Sequence, residues 1–131
     1  MKTVWILRGI PGCGKTTVAE KLSEQLNGVH VEADMYFSRN GEYIFDPSKL
    51  KQAHEWCFST FKQYIDTSCE NIIVSNTSTM YWEFERYKQH AEENGYMVHV
   101  LICENYHNGE NEHKVPIDKI VAMKNRFSIN L

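Results

Sequence analysis

One stretch near the start of the chain, Gly9-Ile10-Pro11-Gly12-Cys13-Gly14-Lys15-Thr16, matches G-x-x-x-x-G-K-[ST] at every fixed position. Its context is as restrictive as the string. Thr3–Arg8 (TVWILR) is a short apolar run that reads as a buried strand. Residues 15–27 carry Val18, Ala19, Leu22 and Leu26 at helical spacing, and Gly28 follows as a stop. A strand must therefore pass into a helix through this loop. Glycines let a backbone wrap closely around a polyphosphate. The loop amides then point inward as donors, and the positive end of the helix faces the same anion. The residues expected to bind ATP are Gly9, Pro11, Gly12, Cys13, Gly14, Lys15, Thr16 and Thr17. Lys15 supplies a mobile cation for the β- and γ-phosphates, and the Thr16 hydroxyl can ligate Mg2+. Cys13 fits the loop as a small side chain. A thiol beside a cation and a helix terminus can also be unusually acidic, hence sensitive to oxidation.

The remainder alternates strands and helices. Val29–Ala33 reads as a second strand, and Asp34–Asp46 as an irregular stretch. Asp46 and Pro47 mark the start of a helix that runs to about Thr67, with Leu50, Ala53, Cys57, Phe61, Tyr64 and Ile65 as its apolar stripe. Asn71–Ser75 and Tyr96–Cys103 read as strands. Met80–Asn94 reads as a helix closed by Gly95, and Pro116–Phe127 as a last helix. This alternation argues for a parallel sheet covered by helices on both faces. At 131 residues, 1–131 is expected to form a single domain. The four cysteines form no CxxC and no zinc-type cluster with histidine, which points to a reducing compartment. No run of about 18 apolar residues exists, so no membrane is expected as a partner. The N-terminus MKTVWILRG lacks the pattern of a signal peptide, so the expected location is the cytoplasm, or the host cytoplasm for a viral chain. With net charge −3, phosphate recognition must be local rather than spread over a basic face.

Further segments keep the order seen in a known group. The loop is followed by AD-x-YF (Ala33–Phe37), GEYIFDPSKL (Gly41–Leu50), AHEW (Ala53–Trp56), IIVSNTS (Ile72–Ser78) and N-x-H-x-VP (Asn111–Pro116). This set resembles the polynucleotide-kinase-like group of small P-loop kinases. That group includes the kinase domain of bacteriophage polynucleotide kinase and short ATP-binding proteins of the Nedd-binding type. The likeness covers nearly the whole chain. It implies a P-loop NTPase fold of the adenylate-kinase-like kind: three layers, α/β/α, around a mainly parallel sheet of about four strands, with Asn71–Ser75 beside the first strand. It implies ATP-dependent transfer of the γ-phosphoryl group to a hydroxyl, foremost a 5′-hydroxyl of a polynucleotide. The alternatives are a small-molecule or nucleoside kinase, or a catalytically weak ATP-binding regulatory protein.

In polynucleotide kinases the acid at the end of the second strand binds the acceptor hydroxyl and acts as general base. That position falls on Asp34, so Lys15 and Asp34 form the expected catalytic pair. The residues agree, because Asp34 closes an apolar strand at the sheet edge where ligands bind. The chain departs from the pattern elsewhere. Met35 replaces a second acid, and Phe37 replaces an arginine for which Arg39 is the nearest substitute. Asn76-Thr77-Ser78 stands where D-T-N is usual; Asn76 can hydrogen-bond but brings no charge. The stretch matching the lid is Tyr106–Glu110, with Glu112 following, and from Glu104 to His113 there are three glutamates and no Lys or Arg. An arginine there can be worth roughly 10³–10⁵ in rate; His113 and Lys114 are the contacts that remain. Tyr36 can stack on a nucleobase or serve the core. Arg86 can reach a substrate phosphate or pair with Glu83.

Overall fold

In the computed structural model, residues 1–10, 13–39, 41–77 and 82–103 are described. Thr3–Arg8 forms β1, Lys15–Leu26 forms α1 and Val29–Val31 forms β2. A 3₁₀ turn spans Ala33–Phe37, followed by the two-residue strands β3 (Ser38–Arg39) and β4 (Glu42–Tyr43). A second 3₁₀ turn, Pro47–Lys49, leads into α2 (Leu50–Asp66). Then come β5 (Asn71–Val74), α3 (Trp82–Glu93) and β6 (Met97–Ile102). The expected helix at Pro116–Phe127 lies outside the described residues.

Four strands form one parallel sheet in the order β2-β5-β1-β6. β5 therefore sits beside β1, as the family likeness implies. The register pairs Val4 with Ile72 and Val98, and Ile6 with Val74 and Val100. The two-residue alternation of a strand assigns each side chain to one face. Val4, Ile6, Ile72 and Val74 pack against Ala53, Cys57 and Phe61 of α2 and Phe84, Tyr87 and Ala91 of α3. Leu7 and Ile73 face the other way and pack with Ala19 of α1. The result is a three-layer P-loop, kinase-like fold. All four strands run the same way, so β1, β2 and β5 deliver their carboxyl ends to one edge.

Four local expectations are corrected. The second strand ends at Val31, because the Ala33 amide turns aside to Asn76 Oδ1 at 2.8 Å and Met35 N closes on Glu32 O at 3.1 Å. Asp34–Asp46 is not irregular throughout: Phe37 is buried against the rings of Tyr43 and Phe45, which folds β3 and β4 into a small antiparallel hairpin. The stop of α1 is Asn27, whose left-handed φ of 51° lets its amide reach Glu24 O and Ser23 O. Gly28 is needed for space, since a Cβ there would lie 2.7 Å from Asn71 O. Asp46 does cap as expected, accepting from Ser48 N at 3.0 Å, but one 3₁₀ turn precedes α2 and Leu50 is left exposed. No helix among the described residues is long and apolar enough to cross a membrane.

Candidate active site

The loop between β1 and α1 is framed by its neighbours. Gly9 N donates to Thr77 O at 3.1 Å, and Cys103 N donates to Arg8 O at 2.7 Å. A Cβ on Gly9 would strike Cys13 Sγ and approach Cys103 O at 3.0 Å, so this position needs glycine. Gly14 carries φ of 85°, which favours glycine, and opens α1 with Lys15, Thr16 and Thr17 in its first turn. No acidic residue and no side-chain cap occupies that turn among the described residues. Its polarity suits an anion. Pro11 and Gly12, named from the sequence, lie outside the described residues.

Cys13 is buried in the loop and hydrogen-bonded to Cys103, with Lys15 close enough to act on its charge. The Cys103 bond, helped by Lys15, brings the Cys13 thiol from 9.0 down to about 6. Cys103, as donor to that thiolate, is pushed well up. The ordinary, unfolded value lies above the folded one. The stability contributed by ionising Cys13 is therefore fully present above pH 9.0 and lost as pH falls through about 6. Thiolate absorbance at 240 nm should show a step with its midpoint near pH 6, absent in Cys13→Ser.

The exit of β2 brings an acid that the sequence reading missed. Glu32 is buried at 9% exposure. Its Oε2 accepts from Thr16 Oγ1 at 3.3 Å and from Ser75 Oγ at 2.7 Å. His30 Nε2 lies 2.6 Å from Ser75 Oγ and 3.8 Å from Glu32 Oε2. Burial holds the His30 pKa below its usual value, so the ring is neutral near pH 7 and donates through Nε2 to Ser75. Since the Thr16 hydroxyl gives its one proton to Glu32, its lone pairs face outward as a hard oxygen ligand. Thr16 and the neighbouring carboxylate are the donor set that suits Mg2+. A signal did exist in the sequence. In a sheet expected to be covered on both faces, Glu32 at the end of the Val29–Ala33 run puts a carboxylate under a helix, which is costly without a purpose.

Asp34 stands two residues further, half-buried in the 3₁₀ turn. Tyr43 donates to its Oδ1 at 3.3 Å. Burial and the Asp34 charge push Tyr43 up to about 12, so the phenol keeps its proton and holds the carboxylate in place. Tyr43 is a second residue the sequence did not reveal, since the hairpin that presents it was read as irregular.

The other candidates divide. Asn76 accepts from Ala33 N, and its Nδ2 faces Tyr87 Oη at 3.5 Å and Cys57 Sγ at 3.6 Å. It ties β5 to the exit of β2. The Tyr36 ring packs against Phe37 and Trp56, and its hydroxyl donates to Gln52 at 3.4 Å. Arg86 pairs with Glu55 rather than with the expected Glu83. Its Nη1 lies 3.2 Å from Glu55 Oε1, and its guanidinium lies 4.4 Å from the centre of the Phe58 ring. Those contacts fasten α3 to α2. The Arg39 side chain, His113 and Lys114 lie outside what is described.

The family follows from this frame. A model described as an AAA domain, AAA_33, matches residues 4–108. The chain belongs to that family. Human NEDD4-binding protein 2 is 37% identical over 94 residues, which is 71% of this chain and 5% of that protein. The chain thus spans a small part of that relative. Kti12 of Chaetomium thermophilum, solved with ADP-AlF3, superposes with TM-score 0.65 at 12% identity, covering 95% of this chain and 80% of that one. A putative kinase from Chloroflexus aurantiacus superposes with TM-score 0.61 at 17% identity, covering 78% and 59%. At such identities the likeness is one of fold: a kinase-like P-loop domain.

Proposed function

We propose that this AAA-domain chain is an ATP-dependent kinase that moves the γ-phosphoryl group to a 5′-hydroxyl of a polynucleotide. The observation that carries the reading is the Thr16–Glu32 hydrogen bond. It fastens the exit of β2 to the first turn of α1, and Asp34 follows two residues later in the 3₁₀ turn. The loop amides and Lys15 hold the triphosphate. Asp34 accepts the proton of the acceptor hydroxyl, whose oxygen bonds to the γ-phosphorus as the bond to the ADP oxygen breaks. Bound Mg2+, held by Thr16 with Glu32 beside it, would neutralise charge on the phosphate oxygens. The motif set shared with polynucleotide kinases supports the acceptor class. A nucleoside or other small hydroxyl compound is the second reading, favoured by the net charge of −3.

A screen with γ-labelled ATP against 5′-hydroxyl DNA, 5′-hydroxyl RNA and nucleosides tests this directly. Label should appear on the oligonucleotides, with acceptor affinity falling as salt rises. Lys15→Ala should weaken triphosphate binding by about 10- to 100-fold, the worth of one or two charge-assisted hydrogen bonds. Labelled nucleosides alone would select the second reading. Tight ATP binding with no labelled acceptor would make the chain a regulatory nucleotide-binding protein instead.

A further inference from the structure

A P-loop enzyme commonly holds Mg2+ with two groups: the hydroxyl that follows the loop lysine and an aspartate at the end of a neighbouring strand. Here the neighbouring strand β5 ends in Ser75 and Asn76, neither of which carries charge. Asn76 is engaged with the Ala33 amide. The carboxylate that meets Thr16 comes from one strand further out.

We propose that Glu32 is the acid of the Mg2+ site, delivered from β2 to the place that the end of β5 leaves uncharged. This rests on the kinase reading above. Three features support it. The Thr16 hydroxyl has a single proton, and donating it to Glu32 at 3.3 Å aims its lone pairs away from the carboxylate. Ser75, the residue at the expected strand end, serves Glu32 as a donor at 2.7 Å instead of supplying an acid of its own. His30 holds Ser75 in turn at 2.6 Å, so the Ser75 hydroxyl is committed to Glu32. A carboxylate this buried, whose hydrogen bonds among the described residues come from two hydroxyl donors, is stabilised by a divalent cation more than by any neutral arrangement. Glu32 acts as a positioning residue: it orients Thr16 and receives the hydration shell of the ion.

The test measures metal binding rather than turnover. Mn2+ is titrated into the ATP-saturated chain and followed by electron paramagnetic resonance, and ATP affinity is measured with Mg2+ and with EDTA. Glu32→Gln keeps the size and the acceptor oxygen but removes the charge. It should weaken Mn2+ by about 10- to 100-fold, the usual loss for an outer-shell partner, and leave ATP affinity in EDTA unchanged. The double variant Glu32→Gln, Ser75→Asp returns a carboxylate from β5 and should regain most of the metal affinity. A merely structural Glu32 would alter folding but not the metal-dependent part of binding. Wild-type metal dependence in Glu32→Gln overturns the assignment, as does a double variant no better than Glu32→Gln. A wild-type chain that binds ATP equally with and without metal overturns it while leaving the nucleotide site intact. A wild-type chain that binds no triphosphate under either condition overturns the kinase reading as well.

Discussion

Asp34→Asn should slow phosphoryl transfer by about 10²–10⁴-fold, the usual share of a positioned general base. ATP affinity should stay at its wild-type value. The substitution isolates basicity. Asparagine keeps the planar head and an oxygen to accept from Tyr43, which holds Oδ1 at 3.3 Å. The 3₁₀ turn is held by the bonds of the Ala33 and Met35 amides, which the substitution keeps. The loop and α1, which would grip the phosphates, are untouched. A loss confined to the single-turnover rate places Asp34 at the proton; unchanged turnover removes it from that role. A parallel fall in ATP affinity would mean that Asp34 supports the phosphate site, contrary to the role proposed for it.

The phosphate loop and the strands around it could be read from residues because they rest on short-range rules. Glycine spacing specifies the loop. Period-two and period-3.6 patterns separate strand from helix. The family likeness adds only that Asn71–Ser75 lies beside β1. What escaped depends on contacts between distant segments. Arg86 and Glu55 are far apart in the chain and meet only because α2 and α3 pack side by side; from spacing alone Glu83 looked the natural partner. Asn76 carries a side chain that could serve a ligand, yet the early end of β2 leaves the Ala33 amide needing an acceptor, and Asn76 supplies it. Glu32 was overlooked beside Asp34 because both sit at the end of one apolar run. Only the neighbouring positions of Thr16 and Ser75 separate their roles. The Cys13–Cys103 pair is legible only once β6 is placed next to β1.

Phe61→Ala should lower stability by about 3–5 kcal/mol, the range for emptying a buried aromatic site. Phe61 has no exposed surface and lies where α2, α3 and the sheet meet. Its ring centre is 5.0 Å from that of Tyr87, edge to face, and 6.2 Å from that of Phe58, nearly parallel. The ring is wedged between the two helices, so neither can collapse into the space without losing its own contact with β1 and β5. The cavity term therefore adds to the lost transfer energy. Against a typical total of about 5–15 kcal/mol, this is roughly a fifth or more of what holds a domain together. The melting temperature should fall by roughly 10–20 °C, and the urea midpoint should drop with an unchanged slope. Phe45→Ala offers the contrast: it removes an aromatic ring of the same size that is 46% exposed, and should cost far less. Comparable losses at the two positions would show that the interface of α2 and α3 is not the main core, and that the hairpin near Asp34 bears more of the fold.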